Sequence, residues 1–253
     1  MSGIETIFAS LPQFLLVCLV LAVAEAVYVL LGFGAGLIAV GLLALLLPEL
    51  RDAVVILLLV NLPAELYIVR TSWRKISWRG VWILFTGVAV GIPLGSWLLR
   101  FGDPAFLLTV LGVFLVAVGA IFVLSPSRRR RNHHRWVAPP VGLLSGVLTG
   151  LFGTGGPPLV LYYQLGGSDK TAFRGHLMAI FLLMTMIRVP SYAALGLINA
   201  PRLWSALAVL PAVLLGAFIG NRIHLSLEED SFRRLVSGAM LIIGLLLLFP
   251  AAR

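Results

Sequence analysis

Apolar residues run in ten blocks along the chain, at 11–31, 37–48, 53–69, 80–99 and 104–124, then at 137–151, 157–166, 172–198, 203–223 and 232–250. Most approach the roughly 20 residues that an α-helix needs to cross a hydrocarbon core of about 30 Å, and the polar joints between them are short. The pattern predicts an all-α polytopic membrane protein. Two blocks depart from it. Those at 37–48 and 157–166 hold only ten to twelve residues, about 15 to 18 Å as helix, too short to span. Each follows a glycine-rich break: Gly32, Phe33, Gly34, Ala35, Gly36 before the first, and Phe152, Gly153, Thr154, Gly155, Gly156, Pro157, Pro158 before the second. Each broken pair reads as a hairpin or two half-helices with its glycine tip near mid-membrane. That gives about eight hydropathy segments and up to ten helices.

The breaks are copies of one another. Phe33, Gly34 and Gly36 align on Phe152, Gly153 and Gly155 with one offset of 119, close to half of the 253 residues. Gly91 and Gly95 match Gly216 and Gly220, and Phe106 and Gly112 match Phe232 and Gly238, with the offset drifting to 126. The expected organisation is two transmembrane repeats, 1–124 and 137–253, joined by a basic linker at 125–136. Each repeat carries a glycine-broken short-helix hairpin and three spanning helices. Glycines four apart let helix backbones approach closely in a membrane, and Gly91/Gly95 and Gly216/Gly220 are read as helix packing. A duplicated break at membrane depth points to a transport site, because irregular backbone is tolerated there only where protein or a watery cavity surrounds it.

Composition narrows the class. Sixty per cent of the residues are apolar, 11% are charged and the mean hydropathy is +1.05, which leaves too little polar surface for a soluble domain. The net charge of +9 does not point to nucleic acid, since the basic residues sit in joints beside membrane segments, where the positive-inside bias puts them. Cys18, the single cysteine, allows no intrachain disulfide. No basic residue precedes the run from Leu11, which argues against a cleaved signal peptide.

The same bias sets orientation. Arg70, Arg74, Lys75 and Arg79 in one joint, and Arg128 to Arg131 with Arg135 in the linker, are both expected in the cytoplasm, and the two runs between them satisfy that parity. Counting onward, Lys170 with Arg174, and Arg222 with Arg233 and Arg234, fall inside, while the joint holding Arg202 falls outside. The joint at 70–79 is thus inside and its second-half counterpart near 199–202 outside. The halves are expected to have inverted topology, as in many secondary transporters.

Arg188 is the sharpest single residue. It lies near the middle of the run at 172–198, where a buried arginine costs roughly 2.5 to 3.5 kcal/mol even on lenient insertion scales. Pro190 removes a backbone donor two residues on and is expected to loosen or kink the helix. A planar fork of donors there suits bidentate binding of a sulfonate, carboxylate or phosphate. The alternative is a structural ion pair with Glu65 or Glu25. Asn61 and Glu65, four apart, share a face of the run that corresponds to the one carrying Arg188, and Pro63 is expected to interrupt it. Glu65 is the first candidate for a proton carrier or counter-ion and Glu25 the second.

The tips offer backbone. Gly153, Thr154, Gly155 and Gly156 expose successive amides, Pro157 favours the start of a helix, and a helix N-terminus attracts anions. Gly34 and Ala35 stand at the same place in the first tip. Gln164, beside Tyr162 and Tyr163, closes the short helix and faces either the cavity or the membrane interface, with the interfacial reading favoured for the tyrosines. His176 reads as a membrane-edge residue. His133 and His134 in the linker are too few for a closed metal site. Neither paired carboxylates, nor a nucleophile with its base, nor a phosphate-binding loop is present, so no enzyme, metal or cofactor is expected.

On these residues the chain resembles the TauE/SafE family of sulfite and organosulfonate exporters. The resemblance rests on Gly32 to Gly36, on Gly142, Leu143, Leu144, Ser145, Gly146 through Phe152 to Pro157, and on Arg188 to Tyr192 with Gly196. The first tip departs from the family pattern, with Ala35 where a glycine is common. The resemblance implies a bacterial inner-membrane permease for small anions, often sulfur-containing ones. Sequence and resemblance together lead to a secondary transporter of a small anion working by alternating access. Its expected partners are that anion and the lipid bilayer, with coupling to a proton or to the membrane potential and a homodimer as an allowed assembly. An anion channel is the rival within transport, and a membrane scaffold or lipid-handling protein is the rival of another class.

Overall fold

A computed structural model of the chain describes residues 5–31, 35–72, 78–124, 135–165, 170–222 and 229–249. Among these are ten α-helices and no strand: α1 Leu11–Leu31, α2 Ala35–Leu46, α3 Leu50–Ser72, α4 Trp78–Phe101, α5 Pro104–Leu124, α6 Ala138–Phe152, α7 Gly156–Leu165, α8 Lys170–Ala194, α9 Ala200–Arg222 and α10 Glu229–Leu248. Among the described residues, four stretches are long and apolar enough to cross a membrane, Leu11–Val29, Val81–Phe101, Pro104–Val123 and Ala200–Gly220. The short helices after both breaks are present as α2 and α7. Pro63 and Pro190, expected to interrupt α3 and α8, lie inside continuous helices. Helix is the one conformation in which a segment at this depth satisfies its own backbone, and the group that a proline frees there finds a substitute partner or a local adjustment.

The chain forms two compact units, each drawn from both halves of the sequence. The first comprises Met1–Val60, Gly102–Ser127 and Ile198–Arg253. In it α1 packs on α9, α5 on α10, and α2 on α1 and α10. A side chain on Gly216 or Gly220 of α9 would fall on the backbone of Ala22 or Ala26 of α1. Gly112 of α5 and Gly244 of α10 meet in the same way. Hydrophobic driving force is weak between helices already in lipid, so close backbone approach of this kind is what holds them together.

The polar ends of this unit are tied together. Gln13 Nε2 donates to the Leu46 carbonyl at 2.7 Å, joining the start of α1 to the end of α2. Arg202, at the start of α9, donates from Nε to Asp52 Oδ1 at 2.7 Å and from Nη2 to Glu49 Oε2 at 3.2 Å. Arg51 donates to the Gly102 carbonyl at 3.2 Å.

The second unit comprises Asn61–Phe101 and Arg128–Leu197. Its central contact is α4 against α6, whose glycines interlock. Gly87, Gly91 and Gly95 of α4 lie on the α6 backbone, and Gly142, Gly146 and Gly150 of α6 lie on that of α4. Arg100 Nε donates to the Leu195 carbonyl at 3.1 Å just beyond the end of α8. The helix-packing reading of the spaced glycines is the one the structure displays. Gly91 and Gly95 sit over the carbonyls of Leu143 and Val147, and Gly216 and Gly220 over those of Ala22 and Ala26. The spacing is the same in both pairs.

Candidate functional site

The second tip is built by the way α6 ends. Gly153 adopts φ 73° and ψ 13°, and its amide donates to the Thr149 carbonyl at 2.8 Å, closing the helix. That left-handed conformation is open to glycine at little cost. The chain then folds back on α6. Ser145 Oγ donates to the Gly155 carbonyl, and Thr149 Oγ1 donates to the Ser145 carbonyl at 2.8 Å while lying 3.4 Å from Met184 Sδ. A side chain on Gly155 would collide with Thr149 and Ser145, whereas one on Gly156 would meet only Phe181 at 3.5 Å. Gly155 is therefore a packing requirement and Gly156 is not.

Arg188 is buried and its guanidinium lies against this tip. A Cβ built on Gly153 would stand 2.6 Å from Nη2 and 2.9 Å from Nη1. On α8 itself, Cζ lies 4.8 Å over the ring of Tyr192. Tyr192 is wholly buried, and its hydroxyl donates to the Gly150 carbonyl at 2.7 Å in the last turn of α6. Thr154, next to Gly153, is buried, and its Oγ1 has no hydrogen-bond partner among the described residues. A buried hydroxyl of that kind retains its hydrogen-bonding capacity for a ligand.

Three chemistries thus lie along one short stretch of chain, the guanidinium fork against Gly153, the hydroxyl of Thr154 and the amides at the start of α7. The amides are fewer than the bare rule for helix N-termini suggests. Pro157 and Pro158 carry no N–H, so of the first residues of α7 only Gly156 offers a donor, with Gly155 just ahead of it. The cationic side chain and the Thr154 hydroxyl carry correspondingly more of any anion's recognition.

The other sequence candidates fall in several places. Asn61 is half-buried on α3 in the same unit as Arg188. Gln164 lies on α7 and Glu65 on α3, but their side chains lie outside the described residues, as does that of Ala35 at the start of α2. Gly34 lies outside them altogether. Glu25 belongs to the first unit. It is buried on α1, and its Oε1 has no hydrogen-bond partner among the described residues.

Sequence reasoning missed several groups. Tyr192 stands four residues after Arg188 on the same helix face, a spacing that was readable. Ser145 and Thr149 share their face of α6 in the same way. Tyr163 and His176, read as interfacial and membrane-edge residues, are instead buried, with rings stacked at 5.4 Å and 9°. No cluster of three or more His, Cys, Asp or Glu suited to a metal is found among the described residues.

Comparison with known proteins gives a consistent picture. A family model described as sulfite exporter TauE/SafE matches residues 17–247. The chain is similar to a probable inner membrane transporter protein TsaS of Comamonas testosteroni, 24% identical over 191 residues, covering 75% of this chain and 80% of that one. It is also similar to a probable sulfite/organosulfonate exporter TauE of Cupriavidus necator, 24% identical over 224 residues, covering 87% and 88%. No solved structure matches.

Proposed function

The chain belongs to the sulfite exporter TauE/SafE family, a family of transporters rather than enzymes, and on that premise we propose that it is a multi-pass transporter of the bacterial inner membrane. Its substrate is a small oxyanion, sulfite or an organosulfonate, held between Arg188 and the second glycine tip. The observation that carries this reading is the Arg188 guanidinium seated against Gly153, beside the buried Thr154 hydroxyl. A cation at this depth is costly unless an anion or strong acceptors face it, and here it adjoins backbone that is free of bulk. The relatives' printed functions, a probable inner membrane transporter and a probable sulfite/organosulfonate exporter, favour the same substrate class.

Transport proceeds by alternating access of two inverted repeats, 1–124 and 137–253, around this site. The matched registers of α4 on α6 and of α9 on α1 support the duplication. Orientation is supported by the charged cluster of the first unit. The chain around Glu49 to Asp52, Gly102 and Arg202, which parity puts on one side, meets there. The basic linker at 125–136 is then cytoplasmic. Transport is coupled to a proton or to the membrane potential, with Glu65 the first candidate carrier and Glu25 the second.

Sulfite flux in proteoliposomes tests the site, comparing wild type with Arg188→Ala and Arg188→Lys. Both variants are expected to lose most of their flux while remaining folded. Wild-type flux in both would remove Arg188 from the site. Counterflow driven by unlabelled sulfite distinguishes a carrier from an anion channel, which shows single-channel conductance instead.

A further inference from the structure

An arginine side chain is long and has much rotamer freedom to lose, yet a binding site needs its groups held within about 0.5 Å. The group that holds Arg188 is visible. Tyr192 lies one helical turn further along α8, with its ring centre 4.8 Å from the guanidinium carbon, inside the roughly 6 Å range of a cation–π contact. Its hydroxyl donates to the Gly150 carbonyl at 2.7 Å. Gly150 lies three residues before Gly153, the residue on which the guanidinium rests. One phenol therefore touches both partners of the site, supporting the cation with its face and fixing the end of α6 with its oxygen. The Gly150 carbonyl belongs to the last turn of α6, where helix carbonyls lack intrahelical donors. The tether thus also satisfies a group that would otherwise be buried unbonded.

Resting on the anion-site reading above, we propose that Tyr192 is the positioning residue of that site. It sets the plane of the Arg188 guanidinium and its distance from the tip, and so governs affinity for the oxyanion without touching it. A residue that merely filled space would behave differently: its loss would lower stability without a selective effect on substrate affinity.

The test uses the full chain in proteoliposomes, with sulfite and methanesulfonate as probes. Tyr192→Phe keeps the ring and removes the tether. KM is expected to rise about three- to tenfold with Vmax within about twofold, the effect of one hydrogen bond worth roughly 0.5–1.5 kcal/mol. In an Arg188→Lys background the same change is expected to add less than twofold, because the group it positions is already altered. A fluorinated tyrosine at position 192 keeps the hydroxyl and the packing while weakening the π face, and gives a second reading if Tyr192→Phe folds poorly. Wild-type KM in the folded variants, or an effect that simply multiplies with Arg188→Lys, overturns the proposal. Failure of the underlying site looks different, because the Arg188 variants themselves would then transport like wild type.

Discussion

Arg202 and Asp52 stand 150 positions apart in the chain, and their buried side chains share a 2.7 Å hydrogen bond between Nε and Oδ1. Glu49 Oε2, more exposed, lies 3.2 Å from the same guanidinium. Breaking a buried pair from one side strands a charge and costs about 3–5 kcal/mol, whereas replacing both partners by apolar groups of similar size is often neutral or better. Arg202→Met alone is therefore expected to lower the thermal unfolding midpoint in detergent strongly. Arg202→Met with Asp52→Leu should recover most of the loss.

Glycines of similar helical setting should respond oppositely to a methyl group. On Gly91 it falls on the backbone of α6, while on Gly238 of α10 it meets nothing within 4 Å. Gly91→Ala should destabilise by about 1–3 kcal/mol, as overpacking does. Gly238→Ala should be neutral or stabilise by up to about 1 kcal/mol through backbone entropy. Unfolding measured on both purified variants checks the contrast.

The two left-handed glycines separate strain from function. Gly153 has φ 73° and Gly196 φ 66°, but a Cβ at Gly196 meets nothing whereas one at Gly153 strikes the Arg188 guanidinium. Both alanine variants carry a backbone cost of about 1–2 kcal/mol. Only Gly153→Ala is expected to abolish saturable sulfite flux, when compared at a temperature where both are folded.

Thr154→Val replaces a buried hydroxyl with a methyl of nearly the same volume. Its oxygen has no partner among the described residues, so stability should hold or rise slightly. Affinity for sulfite should fall roughly fivefold, equivalent to about 1 kcal/mol. Unchanged affinity would place the anion away from this hydroxyl.

Proton coupling makes a prediction about the acids. Wild type should accumulate sulfite in response to an imposed pH gradient, and Glu65→Gln or Glu25→Gln should transport downhill without that response. If both variants still follow the gradient, neither residue carries the proton.

Much of this was legible in the sequence because its signals are local. Segment lengths marked the helices, glycine runs the breaks, and an arginine amid apolar residues the candidate site. Tyr192 is visible too once helical spacing is applied from Arg188, and the lack of amide hydrogens at Pro157 and Pro158 needs no structure at all. The Arg202–Asp52 bond was beyond reach, since nothing in the spacing of residues 150 apart says that they meet. The stacking of Tyr163 on His176 was hidden for a related reason: a polar aromatic near the end of an apolar run reads the same whether it faces headgroups or a neighbouring helix.

That each unit draws on both halves of the chain bears on how the protein is made. The close partner of α1 is α9, and that of α4 is α6, so neither half of the sequence contains the surface that the small residues of these helices are shaped to meet. A nascent chain that has entered the bilayer through α5 still holds α1 and α4 without those neighbours, and α1 waits until residues 200–222 emerge from the ribosome. Expressed as two separate polypeptides cut in the linker, the halves should depend on one another for survival in the membrane, each serving as the other's assembly template.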